Sequence, residues 1–334
     1  MIGAILKRTK LGGFFLFTYL HNSRYMYLIG PFFTLIFTFI SIHLQNKRLP
    51  SDGGRAFAVD GASAKGKPTS AGVIFISCMF VGVGLFSRVT WEYALLYICA
   101  MAAMICGYLD DRKPWSATLK GVTDVVIAVA SGTLASFLFP LSIDIYMLDM
   151  VIDIPQPLYI FLASCLVWVS INFANASDGV DGLCGNLTMV STVTFFAMTV
   201  MTKRVTMMNN VMLYLCVVLL VYLWYNCHPS TLLMGDSGSQ AIGVFLAFFA
   251  MASGNPFSYI IICLPLVLDG GSSLFKLAVC RITKKKFMSK IRTPLHDHCR
   301  KEWSWANQMV TERFTLVHLM IEGAYLLLLY FKLY

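Results

Sequence analysis

Long apolar runs separated by short polar gaps dominate this chain, and that alternation predicts a bundle of membrane-spanning helices. A spanning helix needs about 20 mostly apolar residues. Ten stretches approach that length, at about 27–45, 73–88, 91–107, 121–140, 157–174, 187–202, 210–226, 238–253, 257–279 and 314–333. Tight turns join the pairs around Arg88 and around Gly254–Pro256, and residues 1–26 read as an interfacial segment ahead of the first span. The expected fold is an all-α integral membrane protein of about ten transmembrane helices, a single polytopic domain over residues 1–334.

Every second gap, at 46–72, 107–120, 175–186, 226–237 and 280–313, carries nearly all the acidic and imidazole motifs. If each apolar run crosses the bilayer, those gaps share one face. The pattern therefore gathers Asp110, Asp111, Asp178, Asp181, Asp236, His296 and His298 at one side, where loops would form an active site. Of the 26 Lys and Arg residues, 17 fall in the same gaps and eight on the opposite side. The excess of positive charge marks the motif face as cytoplasmic and both termini as outside. Lys7, Arg8, Lys10 and Arg24 pull the other way.

Composition supports the membrane reading, with 57% hydrophobic and 13% charged residues where a soluble domain has about 25% charged. The net charge of +9 follows the topology and marks no groove-reading helix, so nucleic acid is not an expected partner. The ten cysteines form no C-x-x-C pair, and Cys99, Cys165, Cys216 and Cys263 lie in apolar runs. They read as small buried hydrophobes, neither zinc ligands nor a disulfide framework. Met1–Lys10 is basic, but no small-residue cleavage site follows, so no signal peptide is expected. Residues 46–72, rich in Gly, Ser, Ala and Lys, read as a mobile loop.

Four motifs carry chemistry. Asp110 and Asp111 sit where the third run meets the polar face, and adjacent helical residues point about 100° apart. One could meet a metal or phosphate while the other meets a second group; a solvated helix end balanced by Arg112 and Lys113 is the plainer alternative. In the run Asn172 to Leu183, Asn175, Asp178 and Asp181 recur every three residues, the spacing of one helix face, with Gly179 and Gly182 beside the carboxylates. Gly235–Ser239 opens the eighth run, and its backbone N–H groups and Asp236 suit an anion and a bridging cation. Asn226 lies ten residues earlier, at the exit of the seventh run, where a helix cap is its plain role. Thr293–His298 closes the set with His296 and His298 as donors to a phosphate-bearing substrate. Many carboxylates, a helix N-terminus and cationic donors together suit Mg²⁺-assisted phosphoryl transfer, and no Walker-type loop occurs.

These motifs, in order and spacing, resemble the polyprenyl-phosphate N-acetylhexosamine-1-phosphate transferases. The matching elements are Asp110-Asp111, the Asn175–Leu183 run, Trp224-Tyr225-Asn226, Met234–Ser239 and Thr293–His298, with Lys65–Gly72 similar to the family's first cytoplasmic loop. The Pro294–His298 element, followed by Trp303 or Trp305 and then Arg313-Phe314, is most similar to the branch that transfers phospho-N-acetylmuramoyl-pentapeptide.

The resemblance implies ten transmembrane helices, a cytoplasmic Mg²⁺ site, often a dimer, and transfer from UDP-MurNAc-pentapeptide to undecaprenyl phosphate, giving lipid I and UMP. Carried over by position, Asp236 and Asp111 would hold Mg²⁺, and Asp110 and Asp111 would activate or position the lipid phosphate. Asn175, Asp178 and Asp181 would hold nucleotide and phosphates, and Lys120, His296 and His298 would contact the sugar nucleotide. His296 is also an expected catalytic group, and Lys65, Thr69 and Asn226 are expected to bind substrate.

Three positions depart from the family pattern. Asp297 replaces the middle of three histidines, Leu233 stands where a Phe is common, and Lys276 stands where Gln is usual. The same chemistry on UDP-GlcNAc, by a GlcNAc-1-phosphate transferase, is the alternative. An ion-coupled transporter is disfavoured because the charges cluster at helix ends on one side, away from the bilayer midplane.

Overall fold

A computed structural model describes residues 26–54, 64–87, 89–285 and 287–334. The expected interfacial segment 1–26, except Met26, lies outside the described residues, as do Arg55, Arg88 and Lys286. The chain forms helices α1 (Met26–Gln45), α2 (Gly72–Phe86), α3 (Trp91–Arg112) and α4 (Ala117–Leu138), then a hairpin of β1 (Ser142–Ile145) and β2 (Met150–Asp153). There follow α5 (Gln156–Ser177), α6 (Leu183–Met201), α7 (Met207–Asn226), α8 (Gly235–Ala252), α9 (Ser258–Ile262), α10 (Leu264–Thr283), α11 (Leu295–Glu302) and α12 (Asn307–Leu333).

Each of the ten apolar stretches overlaps helix, but the count of ten spans is not confirmed. Seven helices among the described residues are long and apolar enough to cross a membrane: the first, from Leu28, then α3, α4, α5, α6, α7 and α12. The physical reasons for the other three differ. Helix α2 has 15 residues, about 22 Å at 1.5 Å per residue, against a hydrocarbon core of about 30 Å. Helix α8 spends its first turns on the polar stretch Gly235–Gln240, and α10 carries Asp269, Lys276 and Arg281. The ninth stretch is also broken in two, because Pro265 opens α10 and Cys263 before it leaves the helical conformation.

Helix α8 is the axis of the bundle. Every residue from Gly235 to Ala252 is buried, and α8 packs against α2, α3, α5 and α6. Its aromatic side Phe245, Phe248 and Phe249 joins Phe75, Phe195, Tyr222 and Tyr259 in one buried apolar cluster. Outward faces stay apolar: Leu28 and Phe32 on α1 and Met320 and Phe331 on α12 are exposed. Exposed apolar stripes on helices of this length are what hydrocarbon, and not water, requires.

The two ends of the bundle are chemically distinct. At one end the hairpin, unforeseen in the sequence, is closed by Asp149 in a left-handed conformation and pairs Ser142 with Asp153 and Ile145 with Met150. It is fastened there by the Asp144 N–H to the Gly254 carbonyl at 2.9 Å, by Arg204 to Asp144, and by Lys332 to Asp149. The opposite end holds the carboxylate motifs.

Candidate active site

At the motif end, the segments before α2 and α8 lace together. The Leu233 N–H donates to the Pro68 carbonyl at 2.8 Å, and the Ala71 and Gly72 N–H groups donate to the Leu233 and Met234 carbonyls at 3.1 Å. The described parts of the expected mobile loop are likewise held, through Asp52 N–H to Lys67 O and Thr69 N–H to Pro50 O, each 2.9 Å. This lacing brings Ser70 and the start of α8 against the end of α3. A Cβ at Gly107 would collide with the Asp236 backbone, so only glycine lets α3 and α8 approach this closely.

Asp111 uses that approach. Its carboxylate accepts from Ser70 Oγ at 2.6 Å and from the backbone N–H groups of Asp236 at 3.0 Å and Ser237 at 3.4 Å. With these three donors Asp111, expected beside Asp236 on a metal, seats the N-terminus of α8 and neutralises its unpaired N–H groups.

Asp110 points elsewhere, as two adjacent helical residues must. It accepts from the Trp115 N–H at 2.6 Å and from Lys120 Nζ at 3.2 Å. The same ammonium donates to Asp236 Oδ2, and Asp236 Oδ1 accepts from Asn175 Nδ2 at 2.7 Å. The Asn175 amide also reaches Ser239 Oγ at 3.1 Å. Three helix ends, those of α3, α4 and α5, thus converge on the first turn of α8, with one cation held between two carboxylates.

A second cluster adjoins it through α5. Asp178 is the C-cap of α5, and Gly179 follows in the turn. A Cβ on Gly179 would strike His296 Nε2, so the His motif packs directly on that turn. The backbone N–H of His296 donates to Asp269 Oδ1 at 2.8 Å, and ring Nδ1 lies 2.8 Å from Asp269 Oδ2. Burial pushes the His296 pKa down, but the Asp269 carboxylate outweighs it and holds the value above that of an ordinary histidine. Asp269 escaped the sequence reading; its one signal is a lone carboxylate directly after the apolar run Leu264–Leu268.

Asp178 and Asp181 do not share a helix face, because residues 178–182 form the turn between α5 and α6. Asp181 instead anchors the loop before α8. It accepts from Ser230 Oγ at 2.7 Å, the Ser230 N–H at 3.1 Å and His228 Nδ1 at 2.9 Å. Burial raises its pKa, yet these donors and nearby Lys67 bring the net value below an ordinary aspartate. Asn226 ties the same turn, accepting from the Gly182 N–H at 2.8 Å and donating to the Leu232 carbonyl at 2.7 Å. Asp181 and Asn226 therefore position backbone in this structure.

The remaining expected residues line the periphery. Lys65 is exposed and Thr69 buried in the segment before α2. His298 accepts from the Arg292 N–H at 3.4 Å and meets the edge of Trp303. Asp297, in place of the family histidine, pairs with Arg300 at 3.4 Å, and Lys276 donates to the Ile291 carbonyl at 2.6 Å, tying the basic loop to α10.

Residues 93–254, from α3 to the end of α8, match the family described as glycosyl transferase family 4. A phospho-N-acetylmuramoyl-pentapeptide-transferase of Treponema pallidum is 34% identical over 301 residues, covering 84% of this chain and 83% of its own. Proteins of the same name from Carboxydothermus hydrogenoformans and Sulfurimonas denitrificans are 28% and 26% identical, over 77% and 75% of this chain and 82% and 77% of theirs. With that identity spread over most of both chains, and with the paired carboxylates of α3 and α8 brought to one ammonium, the chain belongs to the family of phospho-N-acetylmuramoyl-pentapeptide-transferases.

Proposed function

We propose that this enzyme transfers phospho-MurNAc-pentapeptide from UDP-MurNAc-pentapeptide to undecaprenyl phosphate, giving lipid I and UMP, at a site facing the cytoplasm. The observation that carries the reading is the Lys120 ammonium held between Asp110 and Asp236 at the N-terminus of α8. An oxygen of the lipid phosphate bonds to the β-phosphorus of the nucleotide sugar. The bond from that phosphorus to the bridging oxygen breaks, and the oxygen leaves with its electron pair as part of UMP. The attacking phosphate is already anionic, so no protein base need deprotonate it. The reaction instead needs positive charge and donors where negative charge accumulates. Lys120, the half-buried His298 and the basic loop after α10 supply them. The Asp269 carboxylate holds His296 oriented, with Nε2 turned to the Asp178–Gly179 turn.

Mg²⁺ is the cofactor we propose, held by Asp236 and Asp110. The donor set suits it: two carboxylates already flank a cation, and hard oxygen ligands favour Mg²⁺. Among the described residues no three His, Cys, Asp or Glu side chains gather closely enough to cage an ion. Mg²⁺ habitually keeps several waters and takes substrate phosphates as ligands, so two protein carboxylates meet its needs. When bound it would supply charge that polarises the diphosphate.

UDP-GlcNAc is the competing donor, since the same centre would serve it. Purified protein given undecaprenyl phosphate and one UDP-sugar at a time, with and without Mg²⁺, separates the two by UMP release. Release with UDP-MurNAc-pentapeptide and Mg²⁺ is expected; release with UDP-GlcNAc alone would reassign the donor.

A further inference from the structure

Asp124 lies one turn beyond Lys120 on α4, in the apolar part of that helix. It is 3% exposed, and its Oδ1 has no hydrogen-bond partner among the described residues. A buried carboxylate oxygen left unpaired is costly, and native folds rarely keep one without use. The charged groups around Asp124 are Lys120, Asp236 and Asp110, those of the proposed active site.

Lys120 occupies the space between the two carboxylates proposed to hold the divalent cation. Its Nζ bridges the carboxylates of Asp110 and Asp236, its side chain is 30% exposed, and the ammonium sits on a four-carbon stem with several rotatable bonds. A cation entering between those carboxylates competes for the same oxygens and repels the ammonium. Residues four apart on a helix are neighbours, so the Asp124 carboxylate is within the ammonium's reach. Counted as ionised, Asp110, Asp111, Asp124 and Asp236 with Lys120 carry a net charge of −3, which attracts a divalent cation to the cluster.

We propose that Asp124 is the second station of Lys120, the carboxylate that receives its ammonium when a divalent cation takes its place between Asp110 and Asp236. The inference rests on the metal reading above and deepens it. Loading the site becomes an exchange in which Lys120 moves from a shared pair to an unpaired carboxylate, and no charge is left stranded in the bundle. Asp124 is thus a positioning residue that acts through Lys120.

Mn²⁺ titration of the purified full chain in detergent, followed by electron paramagnetic resonance, tests this without turnover. The proteins are wild type, Asp124→Asn, Lys120→Met and the double variant, with Asp124→Ser as a second form and thermal melts as the folding control. Asp124→Asn is expected to weaken Mn²⁺ binding about tenfold, equivalent to about 1.4 kcal/mol. In the Lys120→Met background the same change is expected to cost far less, because no ammonium needs a second place. An equal loss in both backgrounds, or none in either, would overturn the station while leaving the metal site intact. Absence of Mn²⁺ binding by wild type would instead remove the metal reading, and the station with it.

Discussion

Asp269 holds His296 at two points, accepting its backbone N–H through one carboxylate oxygen and facing its ring Nδ1 through the other, both at 2.8 Å. Both residues are buried, at 0% and 2% exposure. The double grip fixes the ring's rotamer and tautomer together and leaves Nε2 aimed at the turn after α5. Hydrogen bonds to charged groups are worth about 1.5–3 kcal/mol. Asp269→Asn should therefore lower kcat/KM by roughly ten- to a hundredfold. Steady-state UMP release checks it, with a shifted pH profile as the sign that His296 has lost its carboxylate.

The same pair sets a pH dependence of stability. The His296 pKa is raised on folding, so its contribution is fully present below the unfolded value, about 6.5, and is lost as pH rises through the folded value. Wild type should lose stability relative to His296→Gln on going from pH 6 upward. Thermal melts of both proteins across that range measure it, and a constant difference would contradict the assignment.

Asp181 runs the opposite way. Its pKa is lowered on folding, so its stabilisation is present above about 3.9 and disappears as pH falls through the folded value. Ser230→Ala removes the one side-chain donor to Asp181 Oδ1, leaving the Ser230 N–H and His228 on Oδ2, and should make acid unfolding begin at higher pH, followed by intrinsic fluorescence.

Much of this architecture is legible before any coordinates. The apolar stretches locate the helices because hydrocarbon demands long apolar runs, and Asp110, Asn175 and Asp236 stand out because polar motifs in alternate gaps must share a face. What is not legible is pairing over distance. Asp111 and Asp110 are adjacent in sequence, yet only the approach of Gly107 to Asp236 decides which one caps α8. Asp124 and Asp269 are single carboxylates in apolar helices with no local pattern; the proposed use of Asp124 appears only when α8 brings Asp236 to Lys120, and that of Asp269 only when His296 arrives from α11. The hairpin at 142–153 hides in a segment too short for its alternation to compete with the flanking helices.

Asn226 offers a purely structural prediction. Its side chain satisfies a backbone donor at Gly182 and a backbone acceptor at Leu232, both in the turns that carry the site. Asn226→Ala leaves both unpaired and should destabilise the fold by about 1–3 kcal/mol, read as a lower Tm. Activity should fall with it, because the two turns position Asp181 and the start of α8.

Asp236 is the position on which the catalytic account depends most. Asp236→Asn keeps the side chain's shape and its neighbours Lys120 and Asn175, while removing the charge that holds the ammonium and the proposed cation. Removing one preorganised electrostatic group costs about 10²–10³ in rate. The decisive measurement is formation of lipid-linked product by purified wild type and Asp236→Asn, from radiolabelled UDP-MurNAc-pentapeptide and undecaprenyl phosphate, with matched thermal melts. A folded variant whose product formation falls by that factor or more is the predicted result; a folded variant with wild-type product formation would contradict the account.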